Sequence, residues 1–162
     1  MRHMKPSFLL LLFFFSLNVA YAQRADRLHR KAVVADGHND VLSSSVLDKK
    51  DISYRLGSGH SDLPRWKEGG LDVQFFSVYT GPDARNKEGV YKDANEEIDS
   101  LESIVGRNRD KMVLARTYRE VKKGIKQKKL VALIGVEGGH MIENDMNKLD
   151  ALYERGMRYL TL

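Results

Sequence analysis

The chain has 162 residues, 27 Lys plus Arg against 22 Asp plus Glu, and no cysteine. A net charge of +5 is too weakly basic to argue for nucleic acid as a partner. With no cysteine, an exported chain must hold together without disulfides.

Arg2 and Lys5 open the chain, an unbroken apolar run covers Phe8 to Phe15, and Ala20-Tyr21-Ala22 precedes Gln23. That order is the layout of a secretory signal, and the run is far shorter than the ~20 residues that span a bilayer. The expected division is therefore a signal peptide at 1–22 and a folded portion at 23–162. Removing the signal leaves 140 residues and takes away two cations, so the net charge falls to +3. No cysteine follows the apolar run, which excludes a lipid-modified cysteine there. The lack of cysteine and of any Asn-x-Ser/Thr fits an exported bacterial protein, periplasmic or extracellular.

Residues 23–31 read as a polar, basic lead-in. Ala32-Val33-Val34-Ala35 reads as a short buried strand ending near Gly37 within "ADGHND". Residues 43–64, rich in Ser, Gly, Asp and Lys and carrying Pro64, read as a long loop. "LDVQFFSVY" (71–79) is a β-branched and aromatic strand stopped by Gly81-Pro82. Ala94, Ile98, Leu101, Ile104 and Val105 recur at helical spacing. Thr117 starts another helix, with Glu120 placed for a capping box and a thin stripe of Val121 and Ile125. "LVALIGV" (130–136) is continuously apolar, as expected of a strand buried on both faces. Met146, Leu149, Leu152 and Tyr153 make a third helical stripe ended by Gly156, and "MRYLTL" opens a fourth buried strand. The alternation implies an α/β fold with parallel pairing. Because the chain ends within an apolar strand, it reads as the front portion of a larger domain.

Polar residues at strand ends carry the chemistry. His38 and Asp40 are two apart, so on an extended chain both point to one side. An imidazole and a carboxylate can then converge as metal ligands, and Gly37 would let the backbone approach closely or take a turn conformation forbidden to other residues. "DGHND" is also a good turn sequence, so this motif alone leaves both readings open. Glu137 follows the buried strand directly, at the same C-terminal end where α/β folds gather their sites. Two strands delivering ligand-type residues to one rim favour the metal. Gly135 to Gly139 is not a phosphate loop, since no Gly-Lys-Ser/Thr follows. His60 reads as a loop residue and His140 as a structural histidine near the rim. Arg116 to Lys129 holds seven cations against Glu120. A solvated helix face accounts for them, with an anionic membrane surface as the lesser alternative.

"VVADGHNDVL", "SDLPRWKEGGLDVQFFSVY" and above all "LVALIGVEGGHMIENDMNKLDALYERGMRYLTL" resemble the membrane (renal-type) dipeptidases, the zinc peptidase family M19. The resemblance runs from about Asp26 to Leu162. It implies a (β/α)8 TIM-like metallo-hydrolase barrel with two zinc ions at its C-terminal rim. His38 and Asp40 would bind one zinc, with Glu137 as the catalytic carboxylate bridging both. The implied reaction is hydrolysis of a dipeptide's amide bond, with a water acidified and the carbonyl polarised by the metal. Relatives are often dimers; the resemblance leaves open dipeptide preference and peripheral membrane association.

The resemblance also implies two further zinc-binding histidines from later strands. The histidines here are His3, His29, His38, His60 and His140, so the second metal site is incomplete as written. A barrel takes ~250 residues, about twice what 23–162 supplies. The expectation is a truncated, N-terminal part of the barrel with weak or no activity by itself. A non-catalytic remnant and an exported metal-binding or interaction module are the alternatives.

Overall fold

The computed structural model describes residues 24–162 except 82 and 86. The expected signal peptide at 1–22 lies outside the described residues. The chain divides into two units, residues 1–33 and 34–162. In the first, residues 24–29 form a helix, α1, whose face carries the Asp26–Arg30 ion pair at 2.8 Å. No helix of the described residues is long and apolar enough to cross a membrane.

The second unit runs β1 (Ala35–Asn39), a π-helical turn (Leu42–Val46), α2 (Leu63–Glu68), β2 (Val73–Val78), α3 (Val90–Arg107) and β3 (Met112–Leu114). It continues with α4 (Tyr118–Lys126), β4 (Leu130–Val136), a 3-10 turn (Gly139–Ile142), α5 (Met146–Arg155) and β5 (Met157–Leu160). All pairings are parallel. Strand β4 lies beside β2 along its whole length. On its other side β3 pairs with its first half and β5 with its second half. Strand β1 pairs with β2 and stands at the sheet edge.

The sheet is held from two sides. Phe76, Val78, Ile134 and Val136 share one buried cluster with Ala94, Ile98 and Leu101 of α3 and Leu152 of α5. Each fully buried Ile or Leu on that helical stripe contributes about 1.5–3 kcal/mol. Val73, Val131 and Leu133 face the other way and join Phe75, Val113, Val121 and Ile125 of α4. The Thr117 capping box forms as expected: Thr117 Oγ1 accepts from Glu120 N–H at 3.2 Å while Glu120 Oε2 accepts from Thr117 N–H at 2.9 Å.

Three expectations need correction. The first strand, expected from Ala32 to near Gly37, is not buried and is shifted along the chain: Ala32 N–H closes the helical turn onto Leu28 C=O at 3.0 Å, and the strand runs from Ala35 to Asn39. It is mostly exposed because only β2 lies alongside it. Residues 43–64 are not one loop, since the Leu42–Val46 turn buries Leu42 and α2 begins at Leu63. Asp62, fully buried, caps α2 by accepting from Arg65 N–H at 2.9 Å and also accepts from Leu56 N–H at 3.1 Å. Gly37 does not serve a close approach either, for a Cβ there would meet nothing within 4 Å.

Candidate metal centre

Strands β1 and β4 deliver three side chains to one point at their C-terminal ends. The register of β1 on β2 slips between Asp36 and Asn39, and this irregularity falls on Gly37 and His38. Such a bulge bends a strand and re-aims a side chain. His38 N–H donates to Asp36 Oδ1 at 3.1 Å, and Val41 N–H donates to Asn39 Oδ1 at 3.0 Å, so the turn into Asp40 is fixed by its own polar residues. Glu137 follows the buried β4, and its N–H donates to Val78 C=O at 3.0 Å, which continues the ladder by one step. The next turn requires Gly138, whose φ of +98° is a conformation side chains resist. A Cβ there would also strike the His140 ring at 2.4 Å.

His38 Nε2 lies 3.2 Å from Asp40 Oδ1 and 3.0 Å from Glu137 Oε2. One ligand atom from each of the three falls within 4.8 Å of the others. The side chains are about half exposed, at 42%, 52% and 37% respectively, so the group opens to solvent. One imidazole and two carboxylates converging this closely suit a zinc-type cation, which takes nitrogen and oxygen donors at short range. The donor set fits a metal.

Two contacts support the group from below. Ser77 on β2, buried, donates its hydroxyl to Glu137 Oε2 at 3.1 Å. Tyr159 on β5 places its hydroxyl 3.0 Å from His38 Nδ1 and within 3.4 Å of the Gly37 carbonyl. Burial first, then the charges of Glu137, Asp40 and Asp36, holds the Tyr159 phenol above the usual tyrosine range, so it keeps its proton at neutral pH. Neither residue was singled out from sequence. Ser77 is a lone hydroxyl in the apolar "QFFSV", and Tyr159 is a polar-tipped aromatic where a strand reaches the rim; those are the signals that could have found them.

His140 does not join the group. Its Nε2 lies 3.0 Å from the Thr80 carbonyl, which can only accept, so that nitrogen carries the proton and ties the turn after β4 to the end of β2. His60 is exposed in the segment before α2. The basic residues of α4 line an exposed helix face, with Lys122 Nζ 5.4 Å from the centre of the exposed Tyr118 ring.

The segment after β2 is pinned in a different manner. Arg85 Nη1 donates to Glu97 Oε1 at 2.9 Å, and Arg85 N–H donates to Asp93 Oδ2 at 2.6 Å. Tyr79 N–H donates to Glu97 Oε2 at 3.0 Å. Both acids are fully buried on α3. Burial pushes the Glu97 carboxyl up to about 7, against the opposing pull of the Tyr79 and Arg85 hydrogen bonds.

A family-wide sequence model, described as membrane dipeptidase (peptidase family M19), matches residues 22–162. Among solved structures, a metallopeptidase described as dipeptidase AC of family M19 is similar at 27% identity and a TM-score of 0.66, over 79% of this chain and 41% of its own. A metallopeptidase from Rhodobacter sphaeroides, solved with a phosphinate mimic of the dipeptide L-Ala-D-Ala, is 24% identical with a TM-score of 0.65, over 79% of this chain and 44% of its own. The probable dipeptidase PvdM from Pseudomonas aeruginosa is 18% identical with a TM-score of 0.71, over 85% of this chain and 36% of its own. This chain thus spans less than half the length of each. The five-stranded sheet corresponds to the first part of a TIM-like (β/α)8 barrel, and the barrel is not closed within the described residues.

Proposed function

Because this chain belongs to the membrane dipeptidase family, peptidase family M19, we propose that the whole protein hydrolyses dipeptides with zinc. The observation that carries this reading is the convergence of His38, Asp40 and Glu137 at the C-terminal rim of a parallel sheet. We assign zinc to these three residues: three protein ligands with one position left open is the composition of catalytic zinc sites rather than of closed structural ones. In a two-ion centre Glu137 would be the shared carboxylate, and the three residues supply only part of that ligand set. When bound, zinc supplies Lewis acidity for the scissile carbonyl and brings the ionisation of water near neutral pH.

The chain's own groups hold this arrangement in place. Ser77 fixes one oxygen of Glu137. Gly138 N–H donates to Thr161 Oγ1 at 2.7 Å and steadies the turn that carries Glu137. The three rim side chains are about half exposed to solvent, and the ligand of the Rhodobacter relative makes L-Ala-D-Ala the first substrate to try.

The test is zinc-dependent release of alanine from L-Ala-D-Ala. Protein spanning the full length of its relatives is expected to turn over, and to lose activity with a chelator or on Glu137→Gln. The 162-residue chain by itself is expected to hydrolyse weakly or not at all. No hydrolysis of any dipeptide by the zinc-loaded full-length protein sinks the reading. We also infer export, supported by the basic, apolar and small-residue order of residues 1–22. The recovered protein should then begin at Gln23, and retention of Met1 would rule export by this signal out.

A further inference from the structure

Gly135 lies inside β4, in a strand otherwise made of large and β-branched residues. A Cβ at that position would sit 2.0 Å from Tyr159 Cζ and 2.4 Å from two other ring carbons. The absence of a side chain on β4 is what lets the Tyr159 ring lie across the strand. From there the ring meets Phe75 of β2, with centroids 5.3 Å apart, and its hydroxyl reaches His38 on β1. Strands β5 and β1 are separated by β4 and β2, about 14 Å across three strand spacings on a flat sheet. Both ends of the reach are bulged: the register slips at Gly37 and His38 on β1, and again between Met157 and Tyr159 on β5. A ring laid over a glycine and two bulges make one constructed contact.

The chemistry of that contact is directional. A neutral imidazole has one N–H and one lone pair, and the hydrogen bond made by one nitrogen decides what the other can do. His38 turns Nε2 toward Asp40 and Glu137, so a cation bound there needs the Nε2 lone pair and leaves the proton on Nδ1. That N–H faces the Tyr159 oxygen at 3.0 Å. The phenol can accept it and still donate its own proton to the Gly37 carbonyl at 3.4 Å.

We propose that Tyr159 is a positioning residue for the metal ligand His38, accepting Nδ1–H and donating to the Gly37 carbonyl, so that Nε2 is held as the ligand atom. The inference rests on the zinc reading above. Reversing the Tyr159–His38 bond gives a second state, in which Tyr159 donates to Nδ1 instead of to the Gly37 carbonyl and Nε2–H donates to Glu137. The same hydroxyl therefore serves His38 before and after a cation arrives, and loading zinc moves the imidazole proton from Nε2 to Nδ1.

Tyr159→Phe removes one oxygen and leaves the ring on Phe75 and over Gly135. The purified protein, at the full length of its relatives, and this variant of it would be titrated with zinc against a chromophoric chelator, with urea unfolding as the fold control. The variant should bind zinc about 10–100-fold more weakly, as is typical when a ligand histidine loses its outer partner, with its unfolding midpoint nearly unchanged. In parallel, long-range proton–nitrogen spectra of the unsubstituted, histidine-labelled protein should show His38 protonated on Nδ1 once zinc is added. That readout does not depend on the variant folding. Affinity within about threefold of the parent, well short of the usual outer-partner effect, overturns the role of Tyr159. A His38 protonated on Nε2 in the zinc-loaded protein does the same. If the unsubstituted protein, at the full length of its relatives, binds no zinc, the metal reading fails and takes this inference with it; if it binds and Tyr159→Phe binds equally, only this inference falls.

Discussion

Asp93 and Glu97 on α3, and Asp40 and Glu137 at the strand ends, are the same chemistry handled in opposite ways. The first pair is fully buried and the fold brings its own cation, Arg85. The second pair is open to solvent, and its ion pairs among the described residues are both to the imidazole of His38. A buried acid without a partner would be strongly destabilising, so α3 closes its charges internally. The rim acids meet an imidazole and the neutral hydroxyl of Ser77 instead. An acid pair that closes on itself is structural; one left facing outward with a ligand nitrogen between its members is built to receive a cation from outside.

The comparison breaks most sharply at the rim. Asp40→Ala or Glu137→Ala should abolish tight zinc binding, a loss beyond the about 100-fold that outer partners cost, as measured by chelator competition. Stability of the metal-free chain should stay level or rise slightly, because removing one of two adjacent acids relieves repulsion. A large loss of stability with zinc binding retained would make the rim acids structural after all.

Arg85→Met is the counterpart on α3. It leaves Asp93 and Glu97 buried without their cation, and removing one partner of a buried pair costs about 3–5 kcal/mol. The lower end is expected, since the Arg85 side chain is 33% exposed. Urea unfolding measures it, and zinc affinity should hardly move.

The third prediction uses pH. The Glu97 carboxyl stands at about 7 in the folded chain against 4.5 for a free glutamate. Between those values the folded state holds a proton that the unfolded state has released, so stability falls as pH rises through this window. The contribution is fully present below 4.5 and lost above about 7, by roughly 3 kcal/mol at about 1.4 kcal/mol per pH unit. Glu97→Gln keeps an oxygen for Tyr79 N–H and cannot ionise, so this slope should vanish. An unchanged pH dependence in that variant would show that the parent's slope arises elsewhere.

Sequence reasoning reached the rim acids and not the α3 pair, and the reason is local against tertiary. Glu137 follows directly on seven apolar residues, and His38 and Asp40 are two apart, so strand period and rim rule place all three without coordinates. The Thr117 capping box and β4 were legible for the same reason: the partners lie within a few residues of one another. Arg85 and Glu97 are twelve residues apart across a turn into a helix, and nothing in the helical stripe of α3 marks an inward-facing acid. The first strand was displaced because Ala32 to Val34 has the composition of a strand, whereas the ladder formed on the polar residues after it. Strand β3 has three residues and α2 only six, too few for either period to show. Tyr159 was illegible because its reach depends on Gly135, twenty-four positions earlier, and on two bulges. The sheet, its parallel sense and the metal-type residues could be read; what braces them could not.

The smallest effect separates the two acid groups most finely. Ser77 is buried, and its hydroxyl is the neutral counterpart of Arg85, holding one oxygen of Glu137. Ser77→Ala fits the same space and removes that bond. Because Glu137 is partly exposed, water can replace the lost donor, so the stability cost should fall near the low end of a typical hydrogen bond, about 0.5–1 kcal/mol. Zinc affinity should fall about tenfold, at the low end for an outer partner, as the carboxylate gains freedom to turn away. A stability loss approaching that of Arg85→Met, with zinc affinity unchanged, would mean that Ser77 and Glu137 form a closed structural pair like the one on α3. The expected order is the reverse: at the rim the hydroxyl aims a carboxylate, and on α3 the guanidinium neutralises one.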